Sequence, residues 1–184
     1  MKRNIYLFEI EDVIANQAKL PYRTGLIWSY CKEISKIDNN YNLDGWYWFR
    51  DDNENTIEKI FNKIKDPSVV AFSCFIWNWK WNMHIAKKIK HKWPNCLIVV
   101  GGWQPPMPDR SNGFFHKYDF VDFICHGEGE FTFADILLEN LKKKPNFKNI
   151  LGCSIPGKLL NDRKNIELLE VKDGLKIENK KKIK

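Results

Sequence analysis

The sequence predicts a doubly wound α/β domain with a mainly parallel, five-stranded sheet and helices on both faces. Residues 69–75, 96–100 and 120–125 form short apolar runs that are rich in β-branched and aromatic side chains. Segments of helical length separate these runs, as expected for buried parallel strands joined by helical crossovers. Because such crossovers are right-handed, successive strands wind into one sheet that is covered by helices on each side.

The first half of the chain supplies two strands and two helices. Residues 4–10 are predicted to form the first strand, and a helix follows a polar loop and runs to about residue 30. Residues 43–49 are predicted as a weak second strand at an edge of the sheet. The acidic cluster 51–54 starts the second helix, whose apolar residues keep helical spacing until residues 66–67.

An amphipathic helix follows the third strand, which is the first of the three apolar runs. Asn78 is predicted as its N-cap. Trp81, Ile85 and Ile89 recur at four-residue steps with lysines opposite them, and the helix is predicted to end before Pro94. The fourth strand is predicted to begin two residues after this proline, at residue 96.

The remaining elements close the domain. The proline-rich residues 104–108 are predicted to form a loop, since proline fits neither a helix interior nor a central strand. A short helix is predicted near residues 112–117, and the last clear helix at residues 131–142. Residues 152–155 leave room for a sixth strand.

Charge is distributed unevenly along the chain. The 184 residues carry a formal charge of +7, and residues 142–184 hold 13 Lys or Arg against 5 Asp or Glu. The residues before them hold 17 against 18 and are nearly neutral. We therefore expect one domain at residues 1–150, and a strand-and-turn extension with a basic, disordered tail at residues 151–184. This distribution does not favour nucleic-acid binding.

Cysteine usage and hydropathy predict a cytoplasmic protein without membrane contact. The five cysteines form neither a CxxC nor a CxxxCxxC sequence, so no zinc knuckle or iron–sulfur cluster is encoded locally. Three of them lie in predicted strands, where a thiol behaves as a small buried apolar group. No apolar run approaches the roughly 20 residues of a membrane span. The four histidines lack ligand spacing, and no metal site is predicted.

The predicted site lies at one edge of the sheet. Ligands of doubly wound sheets bind beyond the carboxyl ends of the strands. In this chain those ends carry three special sequences, which are Ser73, Gly101 with Gly102, and Gly127-Glu128-Gly129.

Four motifs follow the predicted strands in order. They are Asn16-Gln17 with Leu20-Pro21-Tyr22-x-x-Gly25-Leu26, Phe72-Ser73 with Ile76-Trp77-Asn78, Gly101-Gly102, and Gly127-Glu128-Gly129-Glu130. Over roughly residues 4–155 this arrangement resembles the N-terminal, cobalamin (B12)-binding domain of B12-binding radical SAM proteins. The resemblance implies a Rossmann-like, flavodoxin-related fold that packs against cobalamin.

The resemblance also implies the cofactor-binding residues and the partner. The residues would be Leu20, Pro21, Tyr22, Ser73, Trp77, Asn78, Gly101, Gly102, Trp103, Gly127, Glu128 and Gly129. The DxHxxG sequence of many B12 domains is absent, so cobalamin would bind without an imidazole from the first loop. Without a CxxxCxxC sequence, the radical SAM barrel would be a separately supplied domain or subunit. This chain alone would catalyse nothing.

Each motif also has a purely structural interpretation. Ser73 would bond a nearby backbone group rather than the nucleotide tail of cobalamin. The glycine pair after the fourth strand would serve a tight turn with positive φ rather than a slot for a planar base. Glu128 and Glu130 would either cap the last helix or accept hydrogen bonds from ligand hydroxyls and amides. As anions, they disfavour a site that cradles phosphate.

The tryptophans allow two arrangements. Trp77, Trp79 and Trp81 alternate with polar residues, as in a stacking platform for nucleic acid. Because Trp81 belongs to the apolar stripe of its helix, we favour an arrangement with Trp77 and Asn78 at the ligand edge and Trp81 in the core. Trp103 would lie against the corrin, close a domain interface, or pack without any ligand.

Three functions therefore stay open. The first is a B12-type domain that holds cobalamin across the carboxyl edge and presents it to a partner. The second is a degenerate, cofactor-free module for protein interaction, which would use its tryptophan-rich edge and its basic tail. The third is a flavodoxin-like module that binds another nucleotide.

Overall fold

A computed structural model describes residues 1–10, 20–47 and 54–157. Three predictions lie outside the described residues. They concern the Asn16-Gln17 motif, residues 48–53 at the end of the second strand and the start of the second helix, and the basic tail after residue 157.

Strands and helices alternate along the described chain. The strands are β1 Arg3–Phe8, β2 Tyr41–Tyr47, β3 Pro67–Cys74, β4 Leu97–Gly102, β5 Phe123–Cys125 and β6 Cys153–Ser154. The helices are α1 Tyr22–Glu33, α2 Ser35–Asp38, α3 Glu54–Lys63, α4 Trp79–Lys92, α5 Ser111–Lys117 and α6 Glu130–Asn140, with 3-10 turns at Pro108–Arg110 and Phe147–Asn149. Within the described ranges, no helix is both long and apolar enough to cross a membrane.

The strands form one sheet in the order β2-β1-β3-β4-β5-β6. The first five strands are parallel to their neighbours, and β6 pairs with β5 in the antiparallel direction. The order 2-1-3-4-5 is that of flavodoxin-like sheets, so the predicted doubly wound fold is confirmed. The second strand lies at an edge, as predicted. All five predicted strands are present. The sixth strand, β6, is short and lies within residues 152–155, where the sequence allowed one.

Two apolar layers enclose the sheet. Successive β1 residues alternate between them, since Tyr6 and Phe8 join one core cluster while Ile5 and Leu7 join the other. The helices α3, α4 and α5 cover the first face, and α1, α2 and α6 cover the second. Trp81 packs against the first cluster, as its place in the apolar stripe of α4 predicts. Both faces being buried explains why the strands read as continuous apolar runs.

Candidate functional site

The segments that follow β1, β3, β4 and β5 meet at one edge, which we call the carboxyl edge. The register of β3 and β4 pairs Ser73 with Gly101 and Cys74 with Gly102, so these residues lie side by side. The turn from residue 127 to 129 follows β5 at the same edge. The helices α1, α4 and α6 each begin there, because each follows a strand that ends there.

Large apolar side chains are exposed along this edge. They occur in loops that follow strands, or where the next helix opens, and include Leu20, Tyr22, Ile76, Trp77, Trp103 and Met107. Trp103 is 89% exposed although it is the residue directly after β4. Several large exposed apolar side chains at one edge of a sheet indicate a site for a ligand or for another protein surface.

Trp77 is the outer member of a stacked group at the end of β3. Its ring lies 4.8 Å from the ring of Phe75, with an angle of 12° between the two planes. The guanidinium of Arg23 lies 4.2 Å from the centroid of the same Phe75 ring. Because Phe75 is held by both neighbours, Trp77 presents a fixed flat surface at the edge.

Asn78 holds the backbone of this loop from inside the protein. Its side-chain amide donates to the carbonyl oxygens of Ile10 at 2.8 Å and Ser73 at 2.9 Å. Its side-chain oxygen accepts from the backbone N–H of Phe75 at 2.8 Å and from Asn82 at 3.1 Å. Asn78 occupies the N-cap position of α4, as predicted, although its side chain makes no capping hydrogen bond there. Because it is fully buried, Asn78 acts on the edge only through the backbone that it holds.

A buried carboxylate at the end of β1 connects β1 to α1. Glu9 is 1% exposed, and its Oε2 accepts from the backbone N–H of Thr24 at 2.7 Å and from the Thr24 hydroxyl at 2.8 Å. Its Oε1 accepts from the backbone N–H of Arg23 at 3.3 Å and lies 3.5 Å from Arg23 Nε. The two backbone N–H groups, those of Arg23 and Thr24, belong to the first turn of α1, where the helix itself provides no hydrogen-bond partner. Glu9 therefore caps α1 from a different element.

Two further side chains extend this network. Arg23 Nε donates to the Ser73 hydroxyl at 3.4 Å, and Trp46 Nε1 donates to Thr24 Oγ1 at 2.8 Å. Ser73 therefore contacts a side chain, rather than the backbone group that its structural interpretation assumed.

Sequence reasoning missed Glu9, Arg23, Thr24 and Trp46. The available signal was a carboxylate at the end of an apolar strand, because a buried charge needs donors close to it.

The two residues of the glycine pair after β4 differ in whether the backbone requires glycine. Gly102 has φ of +95°, and a Cβ built on it would lie 2.5 Å from the carbonyl oxygen of Cys74. Both facts require glycine whether or not a ligand binds, so the tight turn accounts for Gly102. At Gly101 a Cβ would lie 3.6 Å from the Cβ of Cys125, which is an ordinary contact. A slot for a planar base at this pair stays a prediction.

The glycine turn after β5 exposes its carboxylate. Gly127 and Gly129 have φ of +73° and +87°, and a Cβ on Gly127 would meet nothing within 4 Å. Gly129 occupies the N-cap position of α6, and no side chain makes a capping hydrogen bond there. A capping hydrogen bond from Glu128 or Glu130, one of their two predicted roles, is not observed among the described residues, while Glu130 stands in the first turn of α6. Glu128 is exposed and stands at the edge as an acceptor.

An open groove of about 400 Å³ extends the edge toward β2. It is lined by Leu20, Pro21, Tyr22, Gly25, Leu26, Ser29 and Trp46. The structure thus brings the three predicted residues of the first loop together on one mainly apolar surface. Within the described residues, no group of three or more His, Cys, Asp or Glu side chains is placed to hold a metal ion.

His126 is fixed where β5 enters the glycine turn. Its Nε2 lies 2.8 Å from the hydroxyl oxygen of the buried Ser154, and its backbone N–H donates to the carbonyl of Gly152 at 2.8 Å. Burial lowers the pKa of the His126 imidazole below its ordinary value. The folded protein thus favours the neutral ring.

We expect this histidine to make stability depend on pH. A folded-state pKa below the unfolded one means that the unfolded chain binds more protons, so stability present above about pH 6.5 is lost as the pH falls. Urea titrations between about pH 7.5 and 5 should show this loss, and His126→Gln should reduce it. The exposed His116, changed to Gln, serves as the control. Equal pH slopes for the protein and His126→Gln would contradict the assignment.

Comparison with solved structures agrees with the fold. The RcsB response regulator of Salmonella typhimurium matches with a TM-score of 0.53 at 15% sequence identity. The match covers 89% of this chain and 71% of that chain. At this identity the likeness shows the shared fold alone.

Two curated proteins match the sequence itself, whereas no family model does. The chain is 33% identical over 136 residues to the cobalamin-dependent radical SAM methyltransferase TokK of Streptomyces tokunonensis. It is 32% identical over 136 residues to the 2-(S-pantetheinyl)-carbapenam-3-carboxylate methyltransferase of Streptantibioticus cattleyicolor. Each match covers 74% of this chain and 19% of the relative, so the chain spans about a fifth of the length of these proteins. The chain is thus a homologue of one part of cobalamin-dependent radical SAM methyltransferases, consistent with a B12-binding domain of such proteins.

Proposed function

We propose that this chain binds cobalamin across the carboxyl edge of its sheet and presents it to a radical SAM domain or subunit outside this chain. The sequence match to a fifth of a cobalamin-dependent methyltransferase is the observation that carries the proposal. The exposed flat side chains at the edge support it, because a corrin ring is large, planar and mainly apolar on its faces.

The residues present fit cobalamin through packing and hydrogen bonding rather than through a cobalt ligand. Trp77, Trp103 and Ile76 offer apolar surface to the ring. Glu128 and the strand-end carbonyl groups are acceptors, and the carboxamide side chains of a corrin are donors. The first loop has no histidine, and the Nε2 of His126 already contacts Ser154. Bound cobalamin would therefore have no protein imidazole from the first loop beneath it.

Within the proposed function this chain binds and orients, and it performs no chemical step itself. Cobalamin supplies a cobalt centre that can carry a methyl group when it is bound. Glu9 holds the start of α1 next to the end of β1, and Asn78 holds Ile10 next to the end of β3, each through hydrogen bonds to backbone groups. The stacked Phe75 and Trp77 then keep one flat surface in place, which excludes water from the face that they cover.

Charge at the edge argues against the nucleotide-binding alternative. The start of a helix is a common place for a ligand phosphate to bind. Glu9 already occupies the amide groups of α1, and Glu128 and Glu130 place negative charge at the start of α6. The neutral amides of a corrin meet no such repulsion there, and the single phosphate of its nucleotide tail would lie away from these two helix starts.

Retention of hydroxocobalamin tests the proposal directly. The purified protein is incubated with hydroxocobalamin, desalted and scanned by visible absorption, and we expect corrin bands to remain with it. Trp103→Ala should weaken retention about tenfold, because a desolvated aromatic contact typically contributes more than 1 kcal/mol. Trp103→Phe is the matched control and should retain cobalamin. Since Trp103 is 89% exposed, neither variant should change the melting temperature.

Other results would identify the alternatives. A folded protein that stays colourless would contradict cobalamin binding and support an interaction module. A flavin or other nucleotide in the denatured extract would support the flavodoxin-like module. Equal retention by Trp103→Ala would move the site away from the end of β4.

A further inference from the structure

We propose that Cys125 and Cys153 form a redox-sensitive site, in which a disulfide bond between them joins β5 to β6 next to the glycine pair. The proposal does not depend on cobalamin, because it concerns the chemistry of two thiols and the pairing of two strands. It rests on the register of β5 and β6, on the apolar cluster that both side chains share, and on the hydrogen bonds around them.

The strand register places the two cysteines directly opposite each other. In the antiparallel pair of β5 and β6, Cys125 is the partner of Cys153. The adjacent pair is joined by the hydrogen bond from the His126 N–H to the Gly152 carbonyl, at 2.8 Å. Hydrogen-bonded and non-hydrogen-bonded pairs alternate, so the cysteines form a non-hydrogen-bonded pair, whose Cα atoms typically lie about 4.5 Å apart. Disulfide bonds span Cα separations of about 4.4–6.8 Å, so the pair is placed to form one.

Both thiols lie on the same face of the sheet. Their side chains belong to one buried cluster, which also contains Ile150 and Ile155. Cys125 is 8% exposed and Cys153 is 1% exposed. The Cys153 thiol donates to the carbonyl oxygen of Ile150 at 3.6 Å, and a thiol is a weak donor. Losing this contact on forming the disulfide therefore costs little.

Burial determines how fast the pair can react. Burial raises the pKa of Cys153 to about 12, and it raises the pKa of Cys125 well above its ordinary value, with the Cys153 thiol adding to that shift. Since the thiolate is the form that attacks a disulfide, both thiols react slowly while β6 stays paired. β6 is a two-residue strand at the edge of the sheet, where local opening is easier than at a central strand. We therefore expect oxidation to follow local opening of β6.

The oxidant is a small organic disulfide, R–S–S–R. The thiolate of Cys125, the more exposed of the two residues, attacks one sulfur and forms a mixed disulfide, and the released R–S⁻ takes up the proton that Cys125 lost. The Cys153 thiolate then attacks the Cys125 sulfur, and the second R–S⁻ leaves and takes up the proton from Cys153. The protein loses two electrons and two protons, and R–S–S–R is reduced to two R–SH.

The disulfide would lie beside the carboxyl edge. A Cβ built on Gly101 would lie 3.6 Å from the Cβ of Cys125, so these residues are neighbours across β4 and β5. The residue after Cys125 is His126, which leads into the glycine turn. A bond from Cys125 to β6 would therefore hold the backbone that carries this turn and reduce its local opening.

Thiol–disulfide exchange with glutathione disulfide tests the site. The reduced, folded protein is incubated with an excess of glutathione disulfide, the remaining thiols are blocked with N-ethylmaleimide, and tryptic peptides are identified by mass spectrometry. Cys125 and Cys153 fall in different tryptic peptides, residues 118–142 and 149–158, so a crosslink between them is identified directly. Cys153→Ala removes one partner. Cys31→Ala removes another buried thiol of the same cluster and is the matched control.

We expect the crosslink between Cys125 and Cys153 in the unchanged protein and in Cys31→Ala. The oxidised form of each should melt at least about 5 °C above its reduced form, because the bond closes a loop in the unfolded chain. Cys153→Ala should give neither the crosslink nor the shift in melting temperature. If Cys153→Ala does not fold, the crosslink found in the unchanged protein decides the question.

The proposal fails if the folded protein gives no crosslink between these two cysteines, or joins either of them to Cys31 instead. It also fails if the crosslink forms only at urea concentrations that unfold the protein, because the folded pair would then not be placed for the reaction. A crosslinked protein that melts at or below the temperature of the reduced protein would mean that the bond strains the sheet. That result would contradict the proposal as well.

Discussion

Asn78→Ala should destabilise the protein by about 4 kcal/mol, because it removes four hydrogen bonds at a fully buried position. The change leaves the carbonyl of Ile10 and the N–H of Phe75 without the partners that Asn78 provides. Each buried polar group that loses its partner costs about 1–3 kcal/mol. A loss of this size is a large part of the 5–15 kcal/mol that typically holds a domain together. Urea denaturation at neutral pH measures it.

The same substitution should loosen the carboxyl edge. Asn78 ties the end of β3 to the residue that follows Glu9, so its loss frees the loop that carries Phe75 and Trp77. We expect faster amide hydrogen exchange in that loop at temperatures where the variant is still folded. Asn62→Ala, at an exposed position of α3, is the matched control and should change stability by less than about 0.5 kcal/mol. A loss below about 1 kcal/mol for Asn78→Ala would contradict the described network.

The strands and their common edge could be predicted because the signal is local. A parallel sheet that is buried on both faces requires apolar runs, and those runs place Ser73 and Gly101 at strand ends without any knowledge of contacts. The short β6 is less visible, since two residues carry little pattern. Its place depends on pairing with β5 across the whole of α6.

The side-chain network of the site could not be predicted, because its partners are chosen by the folded backbone. Glu9 reaches Thr24 across 15 residues, and Asn78 reaches Ile10 across 68. A sequence pattern shows that each residue is polar, but not which donor it meets. For the same reason the sequence placed Asn78 at the helix start but did not show that its side chain bonds to Ile10 after β1 and to the end of β3.

The lysines of α4 are a second case in which the sequence does not show which partner a side chain meets. One of them, Lys90, is the basis of the next prediction about stability. The pattern of α4 places its lysines opposite the apolar stripe, in solvent. Lys90 instead turns inward, and its ammonium lies 2.7 Å from the Asp122 carboxylate and 2.8 Å from the Cys96 carbonyl. Asp122 is 1% exposed and also accepts from the Ile98 N–H at 2.8 Å. The pair joins the end of α4 to the starts of β4 and β5, at the edge opposite the candidate site.

Lys90→Met should therefore destabilise the protein by about 3–5 kcal/mol, because it leaves a buried carboxylate without this cation. Methionine keeps most of the apolar stem, so lost packing contributes little. Lys87→Met on the exposed side of α4 should change the free energy of unfolding by less than about 0.5 kcal/mol. Adding Asp122→Asn to Lys90→Met should recover part of the loss, since the double variant buries no unpaired charge. If the losses in free energy of unfolding caused by Lys90→Met and Asp122→Asn simply add in the double variant, the pairing of these two residues is contradicted.

Comparing Lys90→Met with Asn78→Ala separates stability from the properties of the carboxyl edge. Both variants lose several kcal/mol, but only Asn78→Ala removes hydrogen bonds from the loop that holds Trp77. Under conditions where both are folded, hydroxocobalamin should stay with Lys90→Met and be released faster from Asn78→Ala. Equal release would mean that global stability alone governs retention. Faster release from Lys90→Met would place the ligand at the opposite edge, where the ion pair between Lys90 and Asp122 lies.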